Sequence, residues 1–98
     1  MQTVNQEKTV KLFAMLRDKV GAKEITIDFI PGQTVRDVLT TISRTYPVLG
    51  EEIIGADGEL TGLVHVLVGG RNIMWLEGLD TVIQAENSLV LLPPAAGG

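Results

Sequence analysis

One helical stretch stands alone among segments of two-residue alternation, and that imbalance constrains the fold more than anything else in the chain. Pro31-Gly32 breaks the preceding segment, and Thr34 follows as an N-cap with Asp37 placed to complete a capping box. Val35, Val38, Leu39, Ile42 and Tyr46 then recur at helical spacing, and Pro47 disfavours helical geometry at Tyr46. Before this helix, alternation places Val10, Leu12 and Ala14 on one face and Thr9, Lys11, Phe13 and Met15 on the other. Leu16 to Gly21 reads as a short helical turn, after which Ile25, Ile27 and Phe29 alternate with Glu24, Thr26 and Asp28. Two strands joined by a short turn predict an antiparallel hairpin.

The second half of the chain carries a mixed signal from Pro47 to Gly62, with a turn at Ala56-Asp57-Gly58. Leu63 to Val68 reads as a central strand with Val64, Val66 and Val68 on one face. Gly69-Gly70 predicts a tight turn into a short edge strand over Arg71–Met74, and Ser88 to Leu92 a last strand stopped by Pro93-Pro94. The order is β-β-α-β-(β)-β, an α+β chain with a sheet of four to five strands on one main helix. One helix cannot cover both faces of such a sheet. The other face, bearing Phe13, Met15, Leu63, Leu67, Val90 and Leu92, is left for solvent or a partner.

With 98 residues there is room for one core, burying roughly 65% of the unfolded surface. We divide the chain into a flexible leader over residues 1–8, a domain over 9–93 and a flexible di-glycine tail over 94–98. A net charge of −4 offers no general attraction to nucleic acid or to an anionic membrane. Without cysteine there is neither a disulfide nor a thiolate site, and no apolar run reaches bilayer length. These features suit a small cytoplasmic protein.

Candidates for chemistry inside the domain are few. His65 is the only histidine and lacks a second His or Cys to complete a metal site, so it reads as a sheet-surface residue. Gly69-Gly70 runs into a strand rather than a helix, which disfavours a phosphate cradle. Adjacent Glu51 and Glu52 diverge rather than form a carboxylate dyad. No residue constellation supports independent catalysis, metal binding or a bound cofactor.

The end of the chain differs. Ala95-Ala96-Gly97-Gly98 carries no bulky side chain and can thread a narrow channel in extended form. A terminal carboxylate, with a pKa of about 3.5, is ionised at neutral pH and can attack the α-phosphate of ATP. Such a tail suits a protein that is itself another enzyme's substrate.

The ending LLPPAAGG, the opening VKLFAMLRDKVG, the helix start PGQTVRDVL and the segment VGGRNIMWLEGLDT occur in one order. Together they resemble the MoaD-like ubiquitin-related sulfur carriers, which include the small subunit of molybdopterin synthase, the thiamin sulfur carrier and archaeal ubiquitin-like modifiers. The resemblance runs from Thr9 to Gly98 and implies a β-grasp fold. It further implies that an E1-like (MoeB-like) enzyme spends ATP to adenylate Gly98, with Gly97 as its slim approach, and that a sulfur donor converts it to a thiocarboxylate. In the molybdopterin case the tail enters the large (MoaE-like) synthase subunit. The resemblance places hydrophobic partner contacts at Phe13 and Leu92, with Arg17 adding a polar contact; Leu67 on the same open face, and Pro93 and Pro94 after the last strand, are expected to join them. The family's Asp-Gly-Asp turn before the last strand is here Ala85-Glu86-Asn87, and the Gly50-to-Gly62 segment is longer than in compact members. The leading reading is a sulfur carrier for molybdopterin or tungstopterin synthesis; a thiamin-pathway carrier, a modifier joined through Gly98 to target lysines and a ubiquitin-like interaction domain with a silent tail are the alternatives.

Overall fold

The computed structural model describes residues 6–93. Strand β1 (Gln6–Leu12) and strand β2 (Glu24–Phe29) form the expected antiparallel hairpin, with Val10 opposite Ile25 and Lys8 opposite Ile27. Alternation does its predicted work: Val10, Leu12, Ile25, Ile27 and Phe29 are buried and the residues between them are exposed. The connection holds helix α1 (Met15–Val20), which ends at Gly21 in the left-handed conformation. Ala14, at φ 54°, turns the chain out of the sheet before α1. Met15 therefore opens a helix, where alternation predicts that it continues the strand.

Helix α2 (Val35–Thr45) carries the capping box read from the sequence. Thr34 Oγ1 accepts from the Asp37 N–H at 3.3 Å, and Asp37 Oδ2 accepts from the Thr34 N–H at 3.1 Å. Val35, Val38, Leu39 and Ile42 face the sheet and are buried. The stretch after Tyr46, which carried only a mixed signal, is a further helix, α3 (Pro47–Ile53), with Pro47 in its first turn. Gly50 permits it: a Cβ there would lie 2.7 Å from the Ser43 Cα of α2. Gly50 is where two helices touch.

Strand β3 (His65–Val68) turns at Gly69-Gly70, both at positive φ, into the two-residue strand β4 (Arg71–Asn72). The edge strand expected over 71–74 stops at Asn72, and Ile73–Trp75 coil into a 3₁₀ turn. Strand β5 (Leu89–Leu92) lies in the middle, parallel to β1 and antiparallel to β3. The sheet order is β2-β1-β5-β3-β4, a mixed five-stranded sheet consistent with the α+β β-grasp reading.

The leader boundary needs correction. Gln6, Glu7 and Lys8 belong to β1, where Gln6 opposite Phe29 extends the pairing. Lys8 sits on the core face, 7% exposed, and its Nζ donates to the carbonyls of Asn87 (2.7 Å) and Ala85 (3.2 Å). Those carbonyls belong to the turn that departs from the family's pattern. The turn is closed by Asn87, whose Oδ1 accepts from the Gln84 N–H at 2.7 Å. Residues 1–5 and 94–98, and with them the rest of the leader, Pro94 and the di-glycine tail, lie outside the described residues.

Candidate functional site

The face of the sheet away from α2 is organised by strand register. Glu24, Lys11, Val90, Leu67 and Asn72 stand opposite one another across all five strands. Its outer end is charged, its middle apolar. One step toward the end of β5, Leu92 pairs with His65, and beyond the end of β1 comes Phe13. Leu67, Val90 and Leu92 are half-buried although they lie on the open face, and Phe13 is 41% exposed. These apolar side chains lie along the face up to Leu92, where β5 ends, so whatever meets the end of this face also meets Pro93.

Arg17 adds rigidity to that surface. Its Nε donates to the Leu12 carbonyl at 2.7 Å and its guanidinium lies over the Phe13 ring. The position expected to contribute a polar contact to a partner is thus already engaged in holding a predicted neighbour. Leu63, expected on the same face, precedes β3 in an irregular segment and is 56% exposed. Pro93 is half-buried at the end of β5. Gly97, Gly98 and Pro94 are outside the described residues.

His65 keeps its reading as a sheet-surface residue, but with a partner. Its Nδ1 lies 2.8 Å from Asn72 Nδ2. Both line an apolar cleft of about 500 Å³ with Leu60, Val64, Ile73 and Met74. Glu52 pairs with Lys19 at 3.0 Å, tying α3 to α1 rather than pairing with Glu51. Among the described residues no three His, Asp or Glu side chains converge as metal ligands, and no helix is long and apolar enough to cross a membrane.

Sequence reasoning missed two features. Met74, expected at the end of an edge strand, and Trp75, expected to begin a loop, both project from the 3₁₀ turn, Trp75 at 86% exposure. Buried Lys8 was also missed, since a charged residue beside a polar N-terminus carries no local sign of burial. The lysine's place on the Val10–Leu12 side of the alternation was the available signal.

Comparisons with known proteins agree with this geometry. The model of the ThiS family matches residues 10–98. Small archaeal modifier protein 3 of Haloferax volcanii is 35% identical over 92 residues, covering 94% of this chain and 99% of that protein. The solution structure of small archaeal modifier protein 1 from Methanosarcina acetivorans superposes with a TM-score of 0.78 at 36% identity, covering 97% of this chain and 99% of that one. A putative molybdopterin converting factor, subunit 1, from Pyrococcus furiosus superposes with a TM-score of 0.70 at 26% identity, covering 91% and 98%.

Proposed function

Because this chain belongs to the ThiS family of ubiquitin-like sulfur carriers, we propose that it carries sulfur as a thiocarboxylate on Gly98 and donates it in molybdopterin synthesis. The observation that carries this reading is the apolar face of Phe13, Leu67, Val90 and Leu92 at the end of β5. A protein presented as a substrate needs a docking surface at the root of its reactive segment, and this face stands there. In the proposed cycle an oxygen of the Gly98 carboxylate attacks the α-phosphorus of ATP on an E1-like enzyme and displaces pyrophosphate. A sulfur nucleophile then displaces AMP from the acyl-adenylate, leaving the thiocarboxylate. ATP is consumed by the activating enzyme, and this chain supplies the acyl group and the docking face. Similarity to the P. furiosus protein supports a molybdopterin synthase large subunit as the acceptor of the loaded tail.

A second reading has its own support. The similarity to two small archaeal modifier proteins favours transfer of the activated Gly98 to target lysines. Both readings share the adenylation step and part only at the acceptor.

The deciding experiment is the intact mass of the protein from its native cells, with fragmentation to place any change. Exchange of one oxygen for sulfur at Gly98 is the expected result. Localisation is essential, because oxidation of Met1, Met15 or Met74 gives a nearly identical mass change. Gly98 found instead in isopeptide linkage to lysines, with no thiocarboxylate in any fraction, would replace the carrier reading by the modifier one. An unmodified terminus in the presence of ATP and activating enzyme, with cofactor synthesis surviving deletion of Gly97-Gly98, would leave a silent interaction domain.

A further inference from the structure

His65 stands inside the apolar face, cross-strand from Leu92 and two residues from Leu67. Its ring orientation and tautomer are set by a chain of hydrogen bonds that begins on the backbone. The Met74 N–H donates to Asn72 Oδ1 at 2.9 Å, which fixes the amide: turned over, it would set an NH₂ group against an N–H. Asn72 Nδ2 therefore faces His65 Nδ1, 2.8 Å away, and a primary amide nitrogen only donates. Nδ1 must accept, so the single proton of the neutral imidazole sits on Nε2. Among the described residues no partner takes Nε2, and none of their buried side-chain nitrogens is left unpaired, so the Nε2–H reaches the surface.

We infer that the Nε2–H of His65 is a fixed hydrogen-bond donor that reads a carbonyl oxygen on the activating enzyme when the apolar face docks. The inference rests on the proposed activation of Gly98. A donor set between two leucines gives up its water on docking, so a surface lacking an acceptor there pays the desolvation of that N–H. Leucine contacts alone tolerate many apolar partners; a single oriented N–H among them discriminates. Met74 and Asn72 act as positioning residues: the Met74 N–H fixes the amide, and the amide fixes the ring.

Two measurements test this. Long-range proton–nitrogen NMR correlations on the free protein, at a pH where the ring is neutral, should show Nε2 protonated and Nδ1 bare; a protonated Nδ1 would overturn the inference outright. In steady-state adenylation followed by pyrophosphate release, with the carrier as varied substrate, His65→Leu should raise KM about 5- to 30-fold with kcat little changed. His65→Gln, which retains an N–H donor, should recover much of that loss. Asn72→Leu, which frees the ring to exchange tautomers, should fall between. Wild-type turnover with an unchanged KM for His65→Leu sinks this inference and leaves the activated-terminus reading standing. Failure of the wild-type protein to support pyrophosphate release sinks both.

Discussion

The guanidinium of Arg17 lies 4.8 Å from the centroid of the Phe13 ring, while its Nε donates to the carbonyl of Leu12 at 2.7 Å. One side chain thus fastens the end of β1 and braces the aromatic ring of the open sheet face. Arg17→Ala should lower stability by about 1–2 kcal/mol through the lost hydrogen bond and ring contact. Arg17→Lys should recover little, because a point ammonium cannot donate to Leu12 and lie flat on the ring together. Urea unfolding measures the first effect, and side-chain relaxation of Phe13 the second.

On the proposed function, Phe13 should be dispensable for folding and central to docking. Being 41% exposed, it should cost well under about 1.5 kcal/mol of stability as Phe13→Ala, below the range for a fully buried side chain. Affinity for the activating enzyme should fall about tenfold or more, as for an aromatic anchor in an interface. Calorimetric titration of the variant, beside Leu92→Ala, checks this; unaltered affinity in both would remove the face from the recognition surface.

Lys8 links the first strand to the turn before the last, and it does so from a buried position above the Phe29 ring at 4.7 Å. Lys8→Met should destabilise by about 1–3 kcal/mol, since the Ala85 and Asn87 carbonyls lose a charged donor.

The same lysine gives a pH signature. Burial pushes its ammonium below the usual lysine value of 10.5, and nearby Glu86 only partly restores it. Because the folded form releases its proton first, the unfolded chain holds more protons in the alkaline window below 10.5. Stability contributed by Lys8 therefore rises with pH through that window and is constant on either side. The difference in unfolding free energy between wild type and Lys8→Met should grow over this range and stay flat around neutrality.

Gly50 should resist substitution although it lies inside a helix. Gly50→Ala gains helix propensity, yet its new Cβ would meet the Ser43 backbone at 2.7 Å and Ser43 Cβ at 2.6 Å. We expect a net loss of about 1–3 kcal/mol, the usual range for overpacking, in place of the gain an exposed helical site would show. Thermal unfolding distinguishes the two signs.

The features legible in the sequence were those written in local periods. Alternation assigned Val10, Leu12, Ile25 and Ile27 to the core, and Thr34 with Asp37 announced where α2 begins. The apolar open face was legible too, because Leu67, Val90 and Leu92 lie out of phase with the buried residues beside them. Helix α3 was not. Pro47 reads as the end of α2 and the stretch that follows carries a mixed signal; only the structure shows that Pro47 opens a helix and that Gly50 makes room for α2.

By itself, then, the sequence determined which residues alternate and which helix is capped. Each of those depends on neighbours a few positions away. The burial of Lys8, the bracing of Phe13 and the tautomer of His65 were decided by tertiary structure. Lys8 and Asn87 are 79 positions apart and meet only because β5 inserts beside β1, and Asn72 reaches His65 only because a two-glycine turn folds β4 back on β3. A hydrogen bond is satisfied by distance and angle in space, and no period along the chain encodes which distant carbonyl or amide will be there.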